Sequence, residues 1–108
     1  MAYDLKLAER IRSELDGIPV VEKKMFGGVG FLLNGNMACG VHKKDLIVRV
    51  DPEKHVALLK KPHVRPFDMT GRPMKGWLVV DADGVKTANQ LSMWIKQGIE
   101  FASTLHPK

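Results

Sequence analysis

KKMFGGVGFLLNGNMACGVHKKDLIVRV, residues 23–50, packs three apolar runs and five glycines (Gly27, Gly28, Gly30, Gly35 and Gly40) between two short loops. Phe31-Leu32-Leu33, Asn34-Gly35-Asn36 and Met37-Ala38-Cys39 read as strand, tight turn and strand. Asn and Gly both tolerate the positive φ that primed hairpin turns require. A second reversal at Lys43-Lys44-Asp45 leads into Leu46-Ile47-Val48-Arg49-Val50, a β-branched run whose side chains alternate between two faces. The stretch therefore predicts an antiparallel meander, and the remaining segments are expected to cover one of its faces.

Upstream, residues 20–26 read as an edge strand, because Glu22, Lys23 and Lys24 discourage pairing with another chain. Gly27-Gly28 then interrupts the ladder as a turn or a bulge. Before it, Asp4 is a candidate N-cap for a helix carrying Leu7, Ala8, Ile11, Leu15 and Ile18 at helical spacing. Gly17 and Pro19 stop that helix. Downstream, Asp51-Pro52-Glu53 opens a short helix that should turn Val56 and Leu59 inward and end at Lys60-Lys61-Pro62. Residues 62–76 show no clear period. They carry three prolines, and residues 64–67 are expected to run along a sheet edge, where proline is tolerated. Phe67 and Met69 should pin this loop to the core. Trp77-Leu78-Val79-Val80 is the last strand, closed by a turn at Asp81-Ala82-Asp83-Gly84. Thr87 and Gln90 have the spacing of a capping box, which opens a helix with Leu91, Trp94, Ile95, Gly98, Ala102 and Leu105 on one stripe. Gly98 costs that helix about 1 kcal/mol relative to alanine, and close approach of the helix to the sheet is the expected compensation. Leu91, Trp94, Ile95, Ile11, Leu15, Phe31 and Val48 should be buried together. The fold expected is α+β: a single domain over residues 1–108, a two-layer sandwich of five or six antiparallel strands with helices mainly on one face.

The 108 residues are enough to bury one modest core without staples. A lone cysteine, Cys39, excludes an intramolecular disulfide and suits a reducing cytoplasm. There is no secretion pattern at the N-terminus and no apolar run of membrane-spanning length. Between Lys54 and Lys75, six basic residues (Lys54, Lys60, Lys61, Arg65, Arg72 and Lys75) meet a single acid, Asp68, so this window accounts for the whole net charge of +5. Such a window attracts nucleic acid or an acidic protein surface.

Catalytic signatures are missing from the pattern. The glycines lack the lysine and the helix N-terminus of a phosphate loop. Cys39 sits within a strand, where buried cysteines behave as small apolar groups. His42, His55, His63 and His106 have no ligand spacing, and neither a metal nor a cofactor is expected. His63, Arg65 and Asp68 cluster in the 62–76 loop and have acid-base chemistry, but nothing supplies a nucleophile or an oxyanion hole beside them. Arg49 shares a face with Ile47, opposite Leu46, Val48 and Val50. If helices cover the latter face, Arg49 marks the open one, where a cross-strand ion pair is its simplest partner.

The segments Lys24-Met25-Phe26-Gly27-Gly28, Gly35-Asn36-Met37-Ala38 and Leu46-Ile47-Val48-Arg49-Val50 resemble the N-terminal domain of the TfoX/Sxy family. Arg72-Pro73-Met74-Lys75-Gly76-Trp77 and the helix with Trp94 resemble its small stand-alone bacterial members. This resemblance implies a two-layer α/β domain. It also implies kinship with co-regulators of competence that act with the cyclic-AMP receptor protein through a longer chain with a second, helical domain. The expected function is a non-enzymatic, regulatory protein-binding module, monomeric or homodimeric, cytoplasmic and not membrane-bound. Its candidate partner surface comprises Arg49, Lys60, Lys61, His63, Arg65, Arg72 and Lys75. The alternatives are direct nucleic-acid binding through residues 54–75, of which only a weak form is expected, and a ligand or enzymatic site in the 62–76 loop.

Overall fold

Asn34 and Gly35 take left-handed φ values of 54° and 82°, closing the expected hairpin between β2 (Gly28–Leu33) and β3 (Asn36–His42). The computed structural model describes residues 3–25, 27–67 and 75–107. In it β1 (Val20–Met25), β4 (Asp45–Arg49), β5 (Val64–Pro66) and β6 (Trp77–Val80) complete one antiparallel sheet of six strands, in the order β1-β2-β3-β4-β6-β5. Met25 and Gly28 form the closing pair of the first hairpin, so Gly27, at φ 74°, belongs to a turn. The bulge lies further on. The register slips between Phe31 and Leu32, which leaves Ala38 as the extra residue of β3.

Both exposed edges are managed as the sequence suggests. β1 carries Glu22, Lys23 and Lys24, and β5 is short and ends in proline. Strand alternation sorts the side chains into two faces. Phe31, Cys39, Val48 and Leu78 form one cross-strand row, and Val41, Leu46 and Val80 form another. These rows join Leu7, Ile11, Leu15, Leu91, Trp94 and Ile95 in the main core. The residues expected to be buried together are all there. Each fully buried aliphatic or aromatic side chain contributes about 1.5–3 kcal/mol, so this cluster carries most of the stability.

Three helices supply the covering layer. α1 (Leu5–Glu14) starts at Asp4, whose carboxylate accepts from the Lys6 and Leu7 amides at 2.9 and 3.1 Å. The Asp4 amide in turn donates to the Lys43 carbonyl at 2.6 Å, tying the helix start to the β3–β4 reversal. α3 (Ala88–Ser103) opens with the capping box: Thr87 Oγ1 accepts from the Gln90 amide at 3.1 Å, and Gln90 Oε1 from the Thr87 amide at 2.9 Å. It lies chiefly over β3 and β4. Leu91, Trp94, Ile95, Gly98 and Ala102 are buried, while Leu105 lies past the helix end and is partly covered.

The short helix differs from expectation. Residues 52–54 form a 3₁₀ turn, and only His55–Leu59 is α-helical (α2). Three residues per turn instead of 3.6 rotates the phase, so His55 and Leu58 face inward and Val56, at 63% exposure, faces solvent. Leu59 is partly buried against the core, as expected. His55 is also held by a bond: its Nδ1 accepts the Gly76 amide at 2.9 Å.

Gly98 meets the bulge. A Cβ there would press into the carbonyl oxygen of Ala38 and come within 3.2 Å of Val48 Cγ2. Gly98→Ala should therefore fail to recover the roughly 1 kcal/mol of helix propensity that alanine normally brings. Gly98→Leu should cost about 1–3 kcal/mol by overpacking. Urea unfolding midpoints of the two variants against the parent measure both effects.

Candidate interaction site at the sheet margin

Arg49 is the last residue of β4 and stands directly opposite Trp77, the first residue of β6. Alternation puts both on the face away from the helices, beside Ile47 and Val79. There Ile47, Val79 and Phe67 form a second, small buried cluster, flanked by Met37 and Trp77. Phe67 packs edge-on to Trp77 with ring centroids 6.1 Å apart, so it does pin the start of the loop as expected. Met69, Asp68 and Arg72 lie outside the described residues.

The Arg49 guanidinium carbon lies 5.2 Å from the Trp77 ring centroid and 5.5 Å from that of Phe101, on the last turns of α3. Two cation–π contacts hold it, and among the described residues it has no ion-pair partner. Phe101 falls beside the buried stripe of α3, so helical spacing does not mark it. Trp77 reads from sequence as a strand residue and part of the family resemblance, because its pairing with Arg49 depends on β6 inserting next to β4. An aromatic on the flank of an amphipathic helix was the one available signal.

The remaining candidates are separated. Arg65 lies on β5, in the open-face row that includes Val79 and Ile47, and its guanidinium donates to Asp45 Oδ2 at 2.6 Å. His63 has a left-handed φ of 67°, and its Nδ1 is 3.4 Å from Asp81 Oδ1. Lys60 and Lys61 are exposed just past the end of α2, and Lys75 is exposed just before β6. The third member of the acid-base trio in this loop, Asp68, lies outside the described residues. Arg65 and His63 each turn to a different aspartate.

One grouping was invisible in the sequence. His63, Asp81 and Asp83 bring an imidazole nitrogen and two carboxylate oxygens within 4.8 Å of one another. These donor types suit a divalent ion, but His63 and Asp83 are exposed and Asp81 only partly covered. Cys39 is fully buried, and that burial pushes its thiol up to about 12, which keeps it protonated and unreactive at neutral pH.

On the opposite margin, Arg12 of α1 grips Glu22 of β1 through Nε and Nη2 at 2.7 and 2.8 Å. The hydrogen bonds from Arg12 hold the Glu22 carboxyl below the usual carboxylate range. Among the described residues no helix is long and apolar enough to cross a membrane.

These features define a small α+β domain with an open antiparallel sheet, one face closed by helices and the other carrying an arginine–aromatic margin. The family model of the TfoX N-terminal domain matches residues 15–102, and the chain belongs to that family. A crystal structure of a protein from Pseudomonas syringae, a target of the Northeast Structural Genomics Consortium, is similar in fold. The two share a TM-score of 0.67 and 16% identity, over 88% of this chain and 97% of that one. No curated protein matches the chain.

Two expectations test the geometry. His55→Leu leaves the buried Gly76 amide without its acceptor and should cost about 1–3 kcal/mol, read from thermal melts. The Arg12–Glu22 pair is partly exposed, so Arg12→Ala should cost only about 0.2–1 kcal/mol. Because folding lowers the Glu22 pKa, that contribution is present at neutral pH and disappears as pH falls through the lowered value. The gap between parent and Arg12→Ala should therefore close in acid unfolding curves.

Proposed function

We propose that this domain works without catalysis, as a regulatory interaction module that binds a protein partner. The observation that carries the reading is Arg49 held over Trp77 and Phe101 at the sheet margin. Arginine and tryptophan are the residue types that dominate binding energy at protein interfaces. Exposed Lys60, Lys61 and Lys75 add positive charge that would steer an acidic partner. Membership of the TfoX N-terminal domain family is in keeping with a regulatory or competence-related role.

Nucleic-acid binding through the 54–75 window is the competing reading. Binding of single strands relies on aromatic faces open to bases, yet Phe67 is buried and Trp77 and Phe101 already lie against Arg49. What remains is electrostatic attraction to phosphates. It should be weak, independent of sequence and steeply salt-dependent, with a log-log slope of about 0.9 per phosphate contact.

Titrating labelled duplex and single-stranded DNA at about 150 mM salt, where the Debye length is about 8 Å, should give no submicromolar binding. Submicromolar, sequence-selective binding that disappears in an Arg65, Arg72 and Lys75 triple-alanine variant would overturn the protein-partner reading.

A further inference from the structure

Of the four arginines among the described residues, three have their guanidinium groups bound to oxygen. Arg10 donates to the Val85 carbonyl at 2.8 Å, Arg12 to the Glu22 carboxylate at 2.7 and 2.8 Å, and Arg65 to Asp45 at 2.6 Å. Arg49 has no oxygen acceptor at hydrogen-bond distance among the described residues, although it is partly buried. Its neighbours are two rings, with centroids 5.2 and 5.5 Å from the guanidinium carbon. Among the described residues no carboxylate takes the planar N–H fork that matches one. Both rings also restrict the side chain before any ligand arrives, which lowers the entropy cost of binding.

We propose that Arg49 is a carboxylate-recognition residue: it receives one aspartate or glutamate side chain from an otherwise apolar segment of a partner protein, whose apolar part packs at the edges of Trp77 and Phe101, the ring faces being taken by Arg49. The proposal rests on the protein-partner reading above. Charge and shape favour a peptide over a phosphate chain. A groove of about 230 Å³ beside Phe101 is lined by Asp51, Lys54, Gln97, Glu100 and Thr104. Asp51 Oδ1 caps the Glu53 amide at 2.9 Å, and Glu100 is exposed on α3, 4.0 Å from Lys96. These two acids repel a run of phosphates but tolerate a single carboxylate that is paired with Arg49. The exposed cations Lys54 and Lys75 flank the same margin, one lining the groove and the other two residues before Trp77.

The test uses the full chain and a fluorescein-labelled hexapeptide of leucine and serine with one central glutamate, with the glutamine-for-glutamate peptide as control. Fluorescence anisotropy should show the glutamate peptide binding at least tenfold tighter than the control. Arg49→Lys, which keeps the charge but loses the fork, should remove that preference, while Lys23→Ala/Lys24→Ala on the far edge strand β1 should change affinity less than twofold. In ¹⁵N spectra of the parent, the Arg49 Nε–H and Trp77 indole N–H signals should shift together on titration, a readout that does not depend on any variant folding. Equal affinity for the two peptides, or undiminished binding by Arg49→Lys with an unchanged melting temperature, would overturn the proposal. So would an Asp68→Asn variant whose Arg49 Nε–H signal moves in the absence of peptide, because the carboxylate would then come from within the chain. A natural protein partner whose affinity ignores Arg49→Lys would refute this assignment and leave the interaction reading standing. Sequence-selective DNA binding in place of peptide binding would refute both.

Discussion

α3 lies on the sheet at a point where there is no room for a side chain. Gly98 rests against the carbonyl of Ala38, and Ala38 is the extra residue of the β3 bulge. Helix–sheet distance is normally set by side chains at the contact, so this approach, made without a Cβ, brings the whole C-terminal half of α3 close to β3 and β4. Trp94 and Ile95, one turn earlier, then reach the row formed by Phe31, Cys39, Val48 and Leu78. Ala102, one turn later, seals a small cluster with Leu33 and Ala38. A glycine that weakens the helix locally is thus the condition for burying its stripe.

The same placement decides what the margin of the sheet looks like. With α3 seated at Gly98, Phe101 emerges beside the end of β4, where Arg49 leaves the sheet. β6 arrives from the other side and sets Trp77 opposite Arg49. An arginine that would be an ordinary strand cation thereby sits against aromatic surface contributed by two distant parts of the chain. The functional reading depends on that convergence more than on the count of basic residues, because exposed lysines are equally common as simple solubilising charge.

The comparison of expected and observed sites has a physical pattern. Features whose chemistry is local were legible: the Asn34-Gly35 turn, the Asp4 cap, the Thr87–Gln90 box, the proline-bearing edge strand and the burial of Cys39. Each depends on a residue and neighbours a few positions away. The errors arose where local geometry leaves two phases open. The 51–61 segment has the signals of one short helix, but its 3₁₀ start at Pro52 turns His55 inward in place of Val56. Arg49 lies on the face its strand position implies, but the contacts it makes among the described residues, with Trp77 and Phe101, come from far along the chain and have no local signal.

Alternation and turn chemistry by themselves determined the meander, the apolar face of each strand, the caps that open α1 and α3 and the seven residues expected to be buried together. These follow from periods of 2 and 3.6 and from the few residues that accept positive φ. The tertiary structure alone decided that β6 inserts between β4 and β5, that His63 meets Asp81 and Asp83, and that Arg49 lies over Trp77 and Phe101. Strand order and helix seating are set by long-range packing, in which residues tens of positions apart compete for the same surface. No local period encodes which of them will meet.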